Sequence, residues 1–375
     1  MLYSGIDLHR RSIVVCTVDD SGNIIARRTL RTLPELIMTY FQQWPTESHR
    51  AVVESTTGWY WLCDLLRSLG VIIVLAHAKY LKAISYAKVK TDAVDAETLA
   101  QLLRMGYIPE AHQLPPEYRA MRDLLRQRMV MEHKRTNMIQ RIASILAQFN
   151  ITTITYSPSD PRFSTFMGSC SLPVEYRMTL LMYHQQCIQA TEHRKQLEKY
   201  FKTQLRPTPT LQLLMSIPGL GEITGAIIAM ETGDIHRFAD AKHYCSYCRL
   251  VPGAKDSGGK HVHRSGSKDG NKYLKYAFTE AAIKAMMYYP EIKQFAVRLE
   301  ERSTKAIART VVAKELAKIT YYVLTRQQEF KTFKGITIEK LRDWPRARKP
   351  ARITEERTDV VMSVTTLGTT CSSLG

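Results

Sequence analysis

The sequence predicts an α/β domain at the N-terminus followed by two mostly helical regions, and three observations carry that expectation. Short β-branched runs separated by polar turns fill the first thirty or so residues. Strand-like and helix-like periods then alternate to about residue 110. Beyond that point two long stretches keep helical spacing, with a Pro-, Ser- and Gly-rich loop between them.

Taken in order, "LYSGID", "SIVVCTV" and "IIARRTL" read as a meander of three strands, with "DDSGN" as the second turn. "LPELIMTYFQQW" has helical spacing, "HRAVVES" is a further strand, and a helix runs from Gly58 to about Leu69. "GVIIVLA" is a buried strand-like run, and the basic stretch "HAKYLKAISYAKVK" leads into "KTDAVDAETLA". Three antiparallel strands and then alternating helix and strand is the order of an RNase H-like (RuvC-like) fold.

One long helix is expected from Pro115 to Asn150, with Leu124, Met131, Met138 and Ile145 at heptad spacing, and a second from about Val174 to Thr203. The pair suggests a coiled-coil-like antiparallel hairpin or an oligomerising arm, and an ordinary helical bundle stays open. "SIPGLGEITGAIIAMETGD" begins a C-terminal, mostly α region. There Gly219 and Gly221 suit a tight turn offering backbone N–H groups to a phosphate, as in helix-hairpin-helix modules. Further helices are expected at about 238–248, 269–288, 290–301 and 304–328. The division is therefore 1–110, 111–205, 206–332 and a basic tail, 333–375, expected to be disordered.

Composition narrows the partners. Lys and Arg total 53 against 35 Asp and Glu, a net charge of +18, which suits a polyanion such as nucleic acid. No apolar run approaches the roughly 18 residues of a membrane span, and the first strand begins too early for a signal peptide. Seven scattered cysteines point to a reducing, cytoplasmic compartment. Cys245 and Cys248 form the one CxxC, which reads better as helix-face packing than as half of a zinc site. The first long helix is lopsided in charge: Arg119, Arg122, Arg126, Arg128, Lys134, Arg135 and Arg141 stand against Asp123 and Glu132, so it is a candidate nucleic-acid face.

Four carboxylates carry the chemistry. Asp7 and Glu54 each end an apolar strand, and in one sheet they emerge at the same edge. Asp92 and Asp95, at i and i+3, share a helix face. Asp92 after Thr91 also suits an ordinary helix N-terminus, and Glu97 is expected to be solvated on another face. Two unit charges at 4 Å repel by about 4 kcal/mol at an effective dielectric of 20, so convergence needs a cation. An all-oxygen set suits Mg²⁺ or Mn²⁺, and paired ions of that kind clamp a transferring phosphate.

"GIDLHRRSIVV", "VVESTTGWY", "KTDAVDAETLA", "SIPGLGEITGAII" and "YCRLVPGAKDSGG" together resemble the DEDD insertion-sequence transposases, the IS110-type family that includes Piv-like DNA invertases and bridge-RNA-guided recombinases. The similarity runs from residue 1 to about 330 in the correct order. It implies metal-binding and catalytic roles for Asp7, Glu54, Asp92 and Asp95, and a nucleophilic role for Ser257. Gly258 and Gly259 after that serine permit close approach to a phosphate, and Lys255, Lys260, His261, His263, Arg264 and Lys268 supply positive charge around it. Ser265 and Ser267 are nearby decoys, and without the family "DSGG" reads as a surface turn. The resemblance further implies donor and target DNA, a structured non-coding guide RNA, and a homo-oligomer, a dimer of dimers, in the bacterial nucleoid. Two rivals remain: a RuvC-like metal-dependent nuclease or Holliday-junction resolvase with no serine intermediate, and a basic nucleic-acid-binding protein on a dead nuclease fold.

Overall fold

The computed structural model describes residues 1–84, 91–152, 154–206, 208–257, 260–264 and 269–337. Gly258, Gly259, Ser265, Ser267, Lys268 and most of the polar tail lie outside them. The chain divides into two compact units, Met1–Arg119 and Ala120–Gly375.

In the first unit, β1 (Leu2–Leu8), β2 (Ser12–Val18), β3 (Ile24–Arg31), β4 (His49–Glu54) and β5 (Ile72–Ala76) form one sheet in the order β3-β2-β1-β4-β5. β2 is antiparallel to β1 and β3, while β4 runs parallel to both β1 and β5. This is an RNase H-like sheet, with strand boundaries within two residues of those the sequence predicts. Its helices are α1 (Pro34–Phe41), α2 (Trp59–Ser68), α3 (Ala78–Ile84) and α4 (Asp92–Arg104). Central strands covered on both faces read as continuous apolar runs, which is why "SIVVCTV" shows no alternation. Ile6, Ile13, Val15, Val53 and Leu75 pack with α1 and α2 on one face. Val14, Cys16 and Val18 pack with Ala96 and Ala100 of α4 on the other.

Gly5 sets how closely α4 approaches. A Cβ built there would lie 2.0 Å from the Ala96 carbonyl oxygen and 2.4 Å from the Ala100 nitrogen. Both are backbone atoms, so no rotamer change relieves the clash. Gly5→Ala is expected to destabilise the first unit by about 3 kcal/mol, at the upper end of overpacking costs. Denaturant unfolding checks this, and an unchanged midpoint would refute the close-packing argument.

A buried polar chain crosses the same core. Ser4 Oγ lies 2.6 Å from Thr17 Oγ1 and 2.8 Å from His49 Nε2, and Thr17 Oγ1 lies 2.7 Å from the Tyr40 hydroxyl. His49 is fully buried, and burial pushes its imidazole down from 6.5 to about 4. An unfolded chain protonates His49 below 6.5, whereas the folded protein resists until about 4. This contribution to stability is therefore whole above pH 6.5 and lost as pH falls toward 4, a loss of about 3 kcal/mol at full extent. Unfolding free energies measured across that window should flatten in His49→Gln; an equal slope in both proteins would assign the acid sensitivity elsewhere.

The second unit begins within α5 (Pro116–Gln148), continues through α6 (Phe163–Ser169), and returns along α7 (Val174–Gln204). Partners descend along α7 as they ascend α5: Arg128 with Glu198, Glu132 with Arg194, Arg141 with Tyr183, Phe149 with Tyr176. The two helices are therefore antiparallel. Ion pairs take up part of the seam, which explains why neither heptad pattern is clean. Ile142, Leu146, Phe163, Met167, Leu172 and Leu180 close the far end.

The larger core joins α8 (Pro209–Met215), α9 (Glu222–Thr232), α10 (Ala241–Tyr247), α11 (Lys272–Tyr288), α12 (Pro290–Glu300) and α13 (Lys305–Arg326) to the near ends of α5 and α7. A two-stranded ribbon, β6 (Gly253–Ser257) with β7 (Lys260–Arg264), leaves this core between α10 and α11, and β8 (Thr332–Phe333) pairs with β9 (Ile336–Thr337) near the end. Cys245 and Cys248 are buried in the core, and burial pushes the Cys245 thiol up to about 11 and raises that of Cys248. Both are packing residues, at the end of α10. No helix among the described residues is long and apolar enough to cross a membrane.

Candidate active site

The parallel register of β1 and β4 ends at the pair Ile6 and Val53, so Asp7 and Glu54 occupy the next rung together. Glu54 in turn pairs with Ala76 of β5. This is the carboxyl end of the parallel strands, where open α/β sheets place their sites. α4 begins over the same end. Thr91 caps it, its hydroxyl accepting from the Val94 N–H at 3.3 Å, and Asp92 and Asp95 form its first turn. The close contact at Gly5 thus fixes where those two carboxylates stand relative to β1.

Asp7 and Asp92 converge, with a residue that composition did not single out between them. His9 Nε2 lies 3.1 Å from Asp7 Oδ2 and 3.3 Å from Asp92 Oδ2. One ligand atom from each of the three falls within 4.8 Å of the others, a spacing that can hold a metal ion. Glu54 and Asp95 lie outside that tight set. Burial pushes the Asp7 carboxyl above its ordinary range; His9 opposes the shift, and the charges of Asp92 and Asp95 add to it. Two hard carboxylate oxygens with one imidazole in reach fit a divalent cation, although the converging set differs from the four carboxylates expected from the sequence. The signal for His9 is its D-x-H spacing from Asp7: it stands one residue beyond β1, where the two-residue period still brings it to the Asp7 side. Glu97, expected to be solvated, keeps partial exposure and pairs with Arg27 of β3 at the surface.

Ser257 ends β6, opposite Lys260 in the ribbon register, with Lys255 opposite Val262 and Arg264 opposite Gly253.

The cations assigned to a nucleic-acid face on the first long helix separate into two groups. Arg119 is buried, pairs with Asp64 at 2.7 Å, donates to the Leu114 carbonyl and stacks on Tyr60. Arg122 is buried beside Asp123. Arg126 makes a bidentate pair with Glu231 at 2.5 and 2.8 Å, and Arg135 pairs with Glu132 on its own helix. These four are engaged within the protein, a correction to a reading from charge alone, because one-dimensional charge counts do not show which cations have partners. Lys134 and Arg141 are exposed, Arg141 with contacts to Asn137 and Tyr183. Gly219 also has a structural reason. Its φ is +82°, and a Cβ there would meet the Ala281 carbonyl oxygen at 2.1 Å. Gly221, at the N-cap of α9, has open space around its Cα.

Comparison with known proteins matches two parts of the chain to transposase models. Residues 4–151 match a DEDD transposase model of the IS110 group, described as Transposase, and residues 211–296 match the Transposase IS116/IS110/IS902 family. The chain is 24% identical over 345 residues to the transposase for insertion sequence element IS1328 of Yersinia enterocolitica, covering 87% of this chain and 97% of that protein. It is 23% identical to the transposase for IS1111A of Coxiella burnetii, covering 87% and 90%. The pilin gene-inverting protein of Moraxella bovis is 33% identical over 121 residues, 32% of this chain and 38% of that one. With an RNase H-like sheet presenting the carboxylates in the first matched region and the helical second unit containing the other, the chain belongs to the IS110 family of DEDD transposases.

Proposed function

We propose that this transposase cuts and rejoins DNA through a covalent phosphoserine link on Ser257, with divalent-metal assistance at Asp7, Glu54, Asp92 and Asp95. The observation that carries the proposal is the convergence of Asp7 and Asp92 at the end of the sheet, with His9 between them. Mg²⁺ or Mn²⁺ bound there supplies Lewis-acid stabilisation of the charge that develops on a transferring phosphate. His9 orients the two carboxylates through its polar contacts, and the backbone contact at Gly5 holds α4 in place. The pilin gene-inverting relative supports DNA inversion or exchange rather than simple cutting.

In the covalent step, Ser257 Oγ bonds to phosphorus and the P–O bond to one deoxyribose oxygen breaks. That oxygen leaves as a hydroxyl, taking up the equivalent of the serine proton. A second strand's hydroxyl then attacks the serine ester, restoring a DNA phosphodiester and freeing the serine. Ester exchange of this kind conserves bond energy, and hydrolysis does not. Lys255, Lys260, Arg264, Lys268, Lys134 and Arg141 are the cations proposed to meet phosphate backbones, and the open N-terminus of α9 at Gly221 is a further phosphate site. The family resemblance is the basis for adding a structured guide RNA and a dimer of dimers to this proposal; the net charge of +18 suits a polyanion of either kind.

A nicked suicide substrate tests the reading: denaturing gels should show a protein–DNA adduct, mapped by mass spectrometry to the peptide containing Ser257. A cleaved product with no adduct would favour the resolvase alternative. Sequencing of RNA that copurifies with the protein tests the guide.

A further inference from the structure

The ribbon that bears Ser257 is a two-stranded sheet, β6 with β7, which among the described residues pairs with no other strand. An isolated two-stranded hairpin is marginal in water, so the places where the segment joins the core bear on the position of its serine. That root is tightly tied. Entering it, Arg249 takes a left-handed φ of 56°, and the Leu250 N–H donates to the Cys245 carbonyl at 3.1 Å. Leaving it, Gly270 has φ +96°, and a Cβ there would lie 2.3 Å from the Tyr247 carbonyl oxygen. The two ends are then joined to each other: the Asn271 N–H donates to Tyr247 O at 2.6 Å, and Arg249 Nε donates to Gly270 O at 2.8 Å.

Asn271 also has its whole side chain committed. Its Oδ1 accepts from the Tyr273 and Leu274 N–H groups, capping α11, and its Nδ2 donates to Glu231 Oε2 at 2.7 Å. Glu231, on α9, is 4% exposed and is gripped from the other side by the bidentate Arg126 of α5, whose guanidinium lies over the Tyr273 ring. A buried ion pair is poor evidence of net stabilisation, since apolar replacements of similar volume often serve as well. Here its carboxylate reaches the one residue at which the serine segment re-enters the core.

We infer that Glu231 and Asn271, braced by Arg126, are positioning residues that lock the root of the Ser257 ribbon. The inference rests on the serine reading for its catalytic consequence, and on the hydrogen bonds alone for its mechanical one. Misplacing a reacting group by about 1 Å costs on the order of 100-fold in rate, so a lock at the root acts on chemistry with no contact to DNA.

Asn271→Asp keeps a good N-cap but faces Glu231 with a like charge. In the full-length protein, hydrogen exchange across 250–269 should quicken at least about tenfold while α9 and α13 stay protected, and adduct formation at saturating nicked DNA should slow by about 10- to 100-fold with the DNA Kd unchanged. Glu231→Gln, which leaves the cap untouched, should give the same ribbon-restricted exchange. The reciprocal double variant, E231Q with N271D, lets the side-chain amide now on α9 donate to the new carboxylate at the cap, and should restore exchange and rate together. Unaltered ribbon exchange in both single variants, uniform loss of protection through the unit in both, or no recovery in the double variant would each overturn the lock. Wild-type protein that forms no adduct would overturn the serine reading instead, and ribbon exchange would then decide the lock by itself.

Discussion

Asp92→Ala protein is expected to fold, to bind DNA, and to yield no strand-exchange product. Asp92 is exposed at the first turn of α4, so its loss removes no core packing, and Thr91 still caps the helix. What disappears is one of the carboxylates that converge with His9 at the end of β1. Charge stabilisation at such a site amounts to several kcal/mol in the transition state, so the loss should reach about 1,000-fold or more. Asp7→Ala, Glu54→Ala and Asp95→Ala should behave alike, and a chelator should reproduce the defect in the wild type. Isothermal titration with Mg²⁺ or Mn²⁺ gives a readout independent of turnover, with weaker binding expected in each variant. Full recombination by soluble Asp92→Ala protein, or undiminished activity in EDTA, would remove the metal assignment.

Ser257→Ala carries the second large effect. It should bind DNA and RNA as the wild type does, yet give neither cleaved nor exchanged product and no adduct that survives denaturation. The loss should be complete within detection, because the substitution removes the only atom proposed to bond to phosphorus. Ser257→Cys is expected to retain a trace of activity, since a thiolate is intrinsically nucleophilic although its geometry and metal preference differ. Cleavage by Ser257→Ala at a normal rate would make water the nucleophile and the protein a nuclease.

The first unit is legible because its signals are local. Apolar runs leading into Asp7 and Glu54, and the Thr-Asp start of α4, announce the elements and two of the residues that converge, Asp7 and Asp92. His9 is hidden, because a lone histidine beside arginines looks like part of a basic turn until the fold shows it beside Asp7. The arginines of α5 mislead for a related reason. The partners, Asp64 for Arg119 and Glu231 for Arg126, are 55 and 105 residues away in sequence, and no window of helical periodicity contains them. The β6–β7 ribbon goes unannounced because Gly, Lys and Asp have low strand propensity, and its pairing is set at its ends rather than by its own pattern.

The shared rung of Asp7 and Glu54 makes this protein unequally tolerant of changes in chain length. Strand side chains alternate, so one residue added or deleted within β4 ahead of Glu54 turns every later side chain to the opposite face of the sheet. Val53 would then meet α4, and the carboxylate would be driven toward the apolar layer formed by α1 and α2. A one-residue indel there is consequently worse than any substitution at Glu54, since it displaces the carboxylate and inverts a core strand at once. Added length in the turn at Asp19–Asn23 inverts no strand and costs only local contacts, such as those of Gln101 with the Gly22 carbonyl and Arg104 with the Asp20 carbonyl. A library of single-codon insertions and deletions should therefore be empty through 49–54 and populated across 19–23.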